Sequence, residues 1–194
     1  MNPKVTSSTL LCGALAFLAA ASPARADLVG TQVTGSIVFD GEGQNCFDPT
    51  NAFCGGGAVA QGDLNAAGST VTISSTLVEF GYKDGANVDR ADFTGNGLTV
   101  TDDVLIGAAN WVMQFTDTAF AGLNFTQLTD NFTNGGVTGT LSGDTLTLTW
   151  AGTPTADGLL TTTFGLTAVP EPTTLGLLGL GLTGVAFVRR RRTS

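Results

Sequence analysis

The chain contains no histidine among its 194 residues. Histidine is the side chain that most often serves as a general base or metal ligand near neutral pH, so its absence disfavours many hydrolases and metalloenzymes. The sequence also lacks a G-x-S-x-G nucleophile elbow and a phosphate-binding loop of the P-loop kind. Trp111 and Trp150 lie in strand-like contexts, where a core position is the expected role. We therefore expect a protein that is not an enzyme, although a glycosidase, which needs only two carboxylates, stays open.

Basic residues are almost absent between residues 27 and 168. This segment holds fifteen Asp and Glu residues against only Lys83 and Arg90, a net charge of −13, whereas the whole chain carries −8. A charge of this sign repels nucleic acid and anionic membrane surfaces. We therefore expect no nucleic-acid partner, while divalent cations and basic partners remain compatible with the composition.

The first 26 residues have the pattern of a secretory signal peptide. Lys4 supplies the positive start, and Thr9–Ala21 is an apolar run of 13 residues, too short to span a bilayer. Ala24-Arg25-Ala26 then offers small residues at the two positions that a signal peptidase recognises. We expect a signal helix over residues 1–26 and a mature chain that starts at Asp27. The alternative is an uncleaved N-terminal anchor.

Two cysteines remain in the mature chain, Cys46 and Cys54, eight positions apart. In an exported protein the expected arrangement is a disulfide that closes a small surface loop. On the chain-entropy model such a ring stabilises the fold by about 2–3 kcal/mol. A metal pair is the weaker alternative, because the spacing is not that of a zinc knuckle and no histidine is present.

Residues 27–168 form one candidate domain, and its sequence alternates apolar residues with threonine. The clearest runs are TQVTGSIVFD, STVTISST, DTLTLTW and the stretch with Leu160, Thr162, Phe164 and Leu166. Period-two alternation with β-branched residues is typical of half-buried antiparallel strands, and Asn-Gly and Asp-Gly pairs separate the runs. Val137–Leu141 and Thr145–Trp150 are expected to form a hairpin. The pattern predicts an all-β domain of eight to ten strands, an antiparallel β-sandwich or jelly roll. A short helix over Thr101–Ala109 is an alternative at one place.

One local pattern approximates a calcium loop. Asp92, Thr94 and Asn96 place oxygen ligands at positions 1, 3 and 5, Gly97 follows at position 6, and Asp103 provides a carboxylate at position 12. Thr94 departs from the usual Asp or Asn, and Asp103 is shorter than the usual glutamate. The four oxygen-bearing residues are thus candidate calcium ligands, with an acidic turn between strands as the competing interpretation.

The composition changes abruptly at Val169. The sequence VPEPTT covers residues 169–174, an uncharged span follows over Thr173–Val188, and four arginines occupy Arg189–Arg192. As a helix the 16-residue span would be about 24 Å long, shorter than the ~30 Å hydrocarbon core. The arginines favour the cytoplasmic side. The tail therefore suits a transient membrane anchor with its C-terminus in the cytoplasm.

These residues resemble the PEP-CTERM sorting family of Gram-negative bacteria, whose motif corresponds here to Val169, Pro170, Glu171 and Pro172. The resemblance implies export, processing by an exosortase after signal peptidase has acted, and delivery to the cell surface or an exopolysaccharide matrix. It covers the last 26 residues and does not extend to residues 27–168. A similar segment ends some ice-binding proteins and is sometimes labelled after them.

We expect a noncatalytic surface or matrix protein, associated with exopolysaccharide or biofilm, that requires no cofactor apart from the candidate calcium ion. A carbohydrate-binding or carbohydrate-processing module with the same tail is the rival hypothesis. Exposure of Trp111, Trp150 or Tyr82 on a sheet face would favour the rival, and their burial would favour the structural role. The abundant threonines are consistent with solvent-facing strand positions, with glycosylation sites, or with a regular array that matches the ice lattice. An ice-binding protein is therefore the remote alternative.

Overall fold

The alternating segments of the sequence form antiparallel strands in the computed structural model. The structure describes residues 27–40, 43–51, 54, 69–84, 87–104, 110–133, 135–154 and 158–169. The strands there are β1 (Gln32–Phe39), β2 (Thr70–Thr72), β3 (Phe80–Asp84), β4 (Asn87–Thr94), β5 (Gly97–Val104), β6 (Trp111–Thr116), β7 (Leu123–Asp130), β8 (Val137–Ser142), β9 (Thr145–Trp150) and β10 (Gly158–Ala168). A 3₁₀ turn, Thr118–Phe120, lies between β6 and β7. The predicted all-β class is thereby confirmed.

The strands form two five-stranded sheets, and every pairing in them is antiparallel. Sheet I has the order β2-β1-β6-β9-β8, and sheet II has the order β3-β4-β5-β10-β7. The predicted hairpin of β8 and β9 is confirmed, with Val137 opposite Trp150 and Ser142 opposite Thr145. The last strand, β10, lies inside sheet II between β5 and β7. The sheet is therefore complete only when residues 158–168 have joined it.

The inner faces of the two sheets supply the core, as the period-two alternation predicts. Along β10 the buried residues are Leu160, Thr162, Phe164 and Leu166. Rings from both sheets meet at the centre: Phe115 of sheet I lies with its ring centroid 5.3 Å from Phe80 and 5.1 Å from Phe93 of sheet II. Each fully buried ring contributes about 1.5–3 kcal/mol through the area that it removes from water.

Two strand glycines allow rings to approach the backbone closely. A Cβ atom added at Gly35 would lie 2.6 Å from the Phe80 ring, and one added at Gly139 would lie 2.5 Å from the Phe125 ring. These distances are far shorter than van der Waals contact. The absence of a side chain at both positions is therefore required by the packing of the core.

The helix considered over Thr101–Ala109 is not formed at its start, because Thr101–Val104 is the second half of β5. Leu98, Val100 and Asp102 alternate on the inner face of this strand, and all three are buried. Asp102 and Asp103 would favour a helix N-terminus, but pairing with β4 on one side and β10 on the other overrides this weak signal. Residues 105–109 lie outside the described residues, as do the segments for which the signal helix and the C-terminal hydrophobic helix are predicted.

Candidate functional site

The sorting tail follows the last rung of β10 without an intervening linker. Ala168 pairs with Leu123 of β7, and the Val169 amide donates a hydrogen bond to the Gly122 carbonyl at 3.3 Å. Val169 is 50% exposed. It is the only member of the predicted sorting motif in the described part of the chain, since Pro170, Glu171 and Pro172 lie outside it.

The predicted disulfide between Cys46 and Cys54 is present, with the two Cα atoms 5.5 Å apart. The loop that it closes does more than cover the surface. Phe47 is 1% exposed and packs its ring 5.2 Å from Phe80. Asn45 holds the loop on β1, because its side-chain oxygen accepts from the Ile37 and Phe47 amides. The disulfide therefore secures a segment that contributes to the core.

The candidate calcium ligands are distributed along the β4–β5 hairpin. Asp92 and Thr94 belong to β4, Asn96 lies in the turn, and Asp103 belongs to β5. Asp92 is opposite Thr99, whereas Asp103 is opposite Val88, four rungs further along the ladder. At ~3.3 Å per residue this separates the two carboxylates by roughly 13 Å along the strands.

The segment between Asp92 and Asp103 is thus a turn between two paired strands, with the two carboxylates four rungs apart. In the described ranges, no three His, Cys, Asp or Glu side chains group around a common metal position. Calcium binding by these four residues stays a prediction, which calorimetry on the refolded domain would test with Asp92→Ala as the control.

Buried carboxylates are a feature of the domain that no sequence motif indicates. Glu79, just before β3, is 0% exposed. Its carboxylate accepts from the Ser74 amide at 2.7 Å and from the Phe93 amide at 2.8 Å. Ser74 lies in the segment between β2 and β3, and Phe93 belongs to β4 of sheet II, so this side chain ties the β2–β3 connection to sheet II. Burial raises the pKa of Glu79 to about 7, and the nearby Asp92 charge adds to this, while the two donated hydrogen bonds oppose it.

Asp89 and Asp102 form a second buried acidic feature. They lie directly opposite each other on β4 and β5, and each is 2% exposed. The Trp111 indole N–H donates to Oδ2 of Asp102 at 3.1 Å, while Oδ1 of both aspartates is buried without a hydrogen-bond partner. Burial, together with the charge of Asp102, raises the pKa of Asp89 well above its ordinary value. Burial likewise raises the pKa of Asp102 to about 6, against the hydrogen bond from Trp111.

The aromatic residues that would mark a sugar-binding face are buried. Trp111 is 1% exposed, Trp150 is 0% exposed and Tyr82 is 8% exposed. The Trp150 indole N–H donates to the Thr133 carbonyl at 3.3 Å, so both indoles are held by hydrogen bonds inside the fold. The predicted core role of the tryptophans is confirmed.

The outer face of sheet I carries hydroxyl groups on all five strands. One row runs across the whole sheet through the paired residues Thr70, Thr34, Thr116, Thr145 and Ser142. We call this row the hydroxyl row. Neighbouring hydroxyls in it contact each other, with Thr34 and Thr70 at 3.0 Å and Thr116 and Thr145 at 3.4 Å. The members of the row come from strands that are distant along the chain, so the row is not apparent in the sequence.

The described chain is therefore an acidic, disulfide-containing two-sheet domain that leads directly into a tail of separate composition. That tail matches the family described as the PEP-CTERM protein-sorting motif over residues 168–192. The chain thus carries a sorting motif that implies export and sorting at the membrane by an exosortase. No curated protein and no solved structure matches the chain. Within the described residues, no helix is long and apolar enough to cross a membrane.

Proposed function

We propose that this chain is a noncatalytic protein of the cell surface or extracellular matrix, sorted by an exosortase and associated with exopolysaccharide. The carrying observation is the sorting motif at residues 168–192, which begins in the last rung of β10. The two-sheet domain, a β-sandwich in this proposal, is the part that remains outside the cell. The tail then acts as a transient anchor in the inner membrane, with its C-terminus in the cytoplasm.

Three features of the domain support a structural role. The chain has no histidine. The carboxylates with raised pKa values lie between the sheets, where a polymeric substrate has no access. Trp111 and Trp150 fill the core and are not presented as a stacking platform. These observations favour the noncatalytic role over the carbohydrate-binding or carbohydrate-processing rival.

Removal of residues 169–194 tests the sorting role directly. We expect the truncated protein to be exported but lost from the surface or matrix, and recovered in the periplasm or medium. The matched control is the full chain with Pro170→Ala and Pro172→Ala, which keeps the apolar span and the arginines. If the truncated protein reaches the same compartment as the full chain, the sorting proposal fails.

A second candidate function rests on the hydroxyl row. Five paired strands each contribute one hydroxyl to the row, and strand spacing sets a repeat of ~4.8 Å along it. Such a row would suit adsorption to ice. The mutual contacts between the hydroxyls and the twist of sheets oppose that role. A thermal-hysteresis assay of the purified domain tests ice binding, with the double variant Thr116→Val and Thr145→Val for comparison. If the unchanged domain shows no thermal hysteresis, the ice-binding function is rejected.

A further inference from the structure

The strand that precedes the sorting motif, β10, has neighbouring strands on both sides over only part of its length. From Gly158 to Gly165, β10 pairs with β5, and β7 covers its other side from Thr162 onward. Leu166 is 0% exposed and its amide donates to the Asn96 carbonyl at 2.9 Å. After Leu166 the strand pairs with β7, and the Val169 amide binds Gly122. Leu166 is therefore the last residue that the sheet secures on both sides.

The residues that follow Leu166 are the ones that overlap the sorting motif. Ala168 is the first residue of the matched segment and pairs with Leu123. Thr167 pairs with Asn124, and Val169 binds Gly122 through its amide. Pro170 comes next, so the folded domain and the motif share Ala168 and Val169.

A membrane protease binds its substrate as an extended segment with free backbone groups, because the peptide must pair with the enzyme rather than with its own fold. As long as the domain is intact, the Val169 amide is bonded to Gly122, and Ala168 is held opposite Leu123 of β7. A rigid domain would therefore compete with the protease for the first residues of the motif.

We infer that exosortase processing requires Thr167–Val169 to separate from β7, with Leu166 as the fixed point beyond which β10 stays in the sheet. This inference rests on the proposed function. Separation from β7 makes three residues available to the protease, which is about 10 Å of extended chain at ~3.3 Å per residue. The rungs that open are at the surface, and such terminal rungs are the ones that open most readily in native proteins. The stability of this strand end thus regulates the rate of sorting.

A cross-link across the last rung tests the inference. Because the Val169 amide binds the Gly122 carbonyl, the next rung, Ala168 and Leu123, is a non-hydrogen-bonded pair whose side chains are close enough for a disulfide. We expect the full chain with Leu123→Cys and Ala168→Cys, expressed with an exosortase, to be processed about tenfold more slowly than the unchanged chain in a pulse–chase experiment. The two single-cysteine variants are the matched controls.

A second variant distinguishes the effect of holding Ala168 against β7 from damage that the substitutions cause to the motif or the fold. The sequence Gly-Ser-Gly-Ser-Ala-Val is inserted after Val169, so that the domain keeps its own Ala168 and Val169 and the motif receives a second Ala-Val pair. We expect the insertion to restore rapid processing to the cross-linked chain. If the cross-linked chain, with its new disulfide verified on a non-reducing gel, is processed at the unchanged rate, the inference is overturned.

The two proposals fail in different ways. Failure of the inference alone leaves processing dependent on the exosortase but indifferent to the cross-link and the insertion. Failure of the proposed function shows as an unchanged chain whose size and location are the same with and without the exosortase, and this outcome overturns both.

Discussion

The two-sheet domain is expected to lose stability as the pH rises from 5 to 8, and Glu79 is the clearest cause. The pKa of Glu79 is raised from 4.5 to about 7 in the folded chain. A raised pKa means that the folded state binds the proton more tightly than the unfolded state. The stabilisation is therefore fully present below pH 4.5 and is lost as the pH rises through 7. Between pH 5 and 8 the loss is on the order of 2 kcal/mol, at ~1.4 kcal/mol for each pKa unit.

Glu79→Gln isolates this contribution. The amide keeps one acceptor, so one of the two backbone amides, Ser74 or Phe93, loses its partner in a buried position. An unpaired buried donor costs about 1–3 kcal/mol. Since glutamine carries no charge, its cost does not grow with pH. We expect the variant to be about 2 kcal/mol less stable than the unchanged chain at pH 5, with the difference nearly gone at pH 8.

Urea unfolding of residues 27–169 at pH 5, 6, 7 and 8 measures both effects, with fluorescence of the buried Trp111 and Trp150 as the signal. Asp144→Asn, an exposed change in the turn between β8 and β9, is the matched control and should keep the pH dependence of the unchanged chain. A Glu79→Gln penalty that increases with pH would refute the reasoning, because it would mean that the two donated hydrogen bonds outweigh burial.

Three further perturbations have expected outcomes. Asp102→Asn keeps an acceptor for the Trp111 indole but removes one carboxyl of the buried pair, so we expect a shallower fall in stability between pH 5 and 8, measured by the same urea titrations. Replacement of Cys46 and Cys54 by alanine should lower the free energy of unfolding by about 2–3 kcal/mol, and a reductant should shift the thermal midpoint of the unchanged chain only. Gly35→Ala should destabilise the domain by about 1–3 kcal/mol because its Cβ meets a core ring, whereas Gly165→Ala, with only ordinary contacts, should be nearly neutral; equal effects would contradict the packing argument.

Strand existence was predictable from the sequence, whereas strand order was not. Alternation along β1, β9 and β10 is a local property and identifies the buried face of each strand. The pairing of β1 with β6 and of β5 with β10 joins segments that are far apart along the chain, and no turn chemistry specifies it. Glu79 was beyond prediction for a related reason, because the Phe93 amide that binds it belongs to β4 and comes close only after sheet II has formed.

The buried aspartates differ from Glu79, because the alternation itself contains their positions. Asp89 occupies the same face of β4 as Ala91 and Phe93, and Asp102 occupies the same face of β5 as Leu98 and Val100. Acidic residues in this part of the sequence favour a turn, a helix start or metal ligands, and this local signal competes with the period-two pattern. Cross-strand pairing then brings the two carboxyls together in the core beside Trp111. An acidic residue that keeps the apolar period of a strand is therefore better interpreted as buried and partly protonated than as a surface ligand, and the pH dependence of stability is the property in which that difference appears.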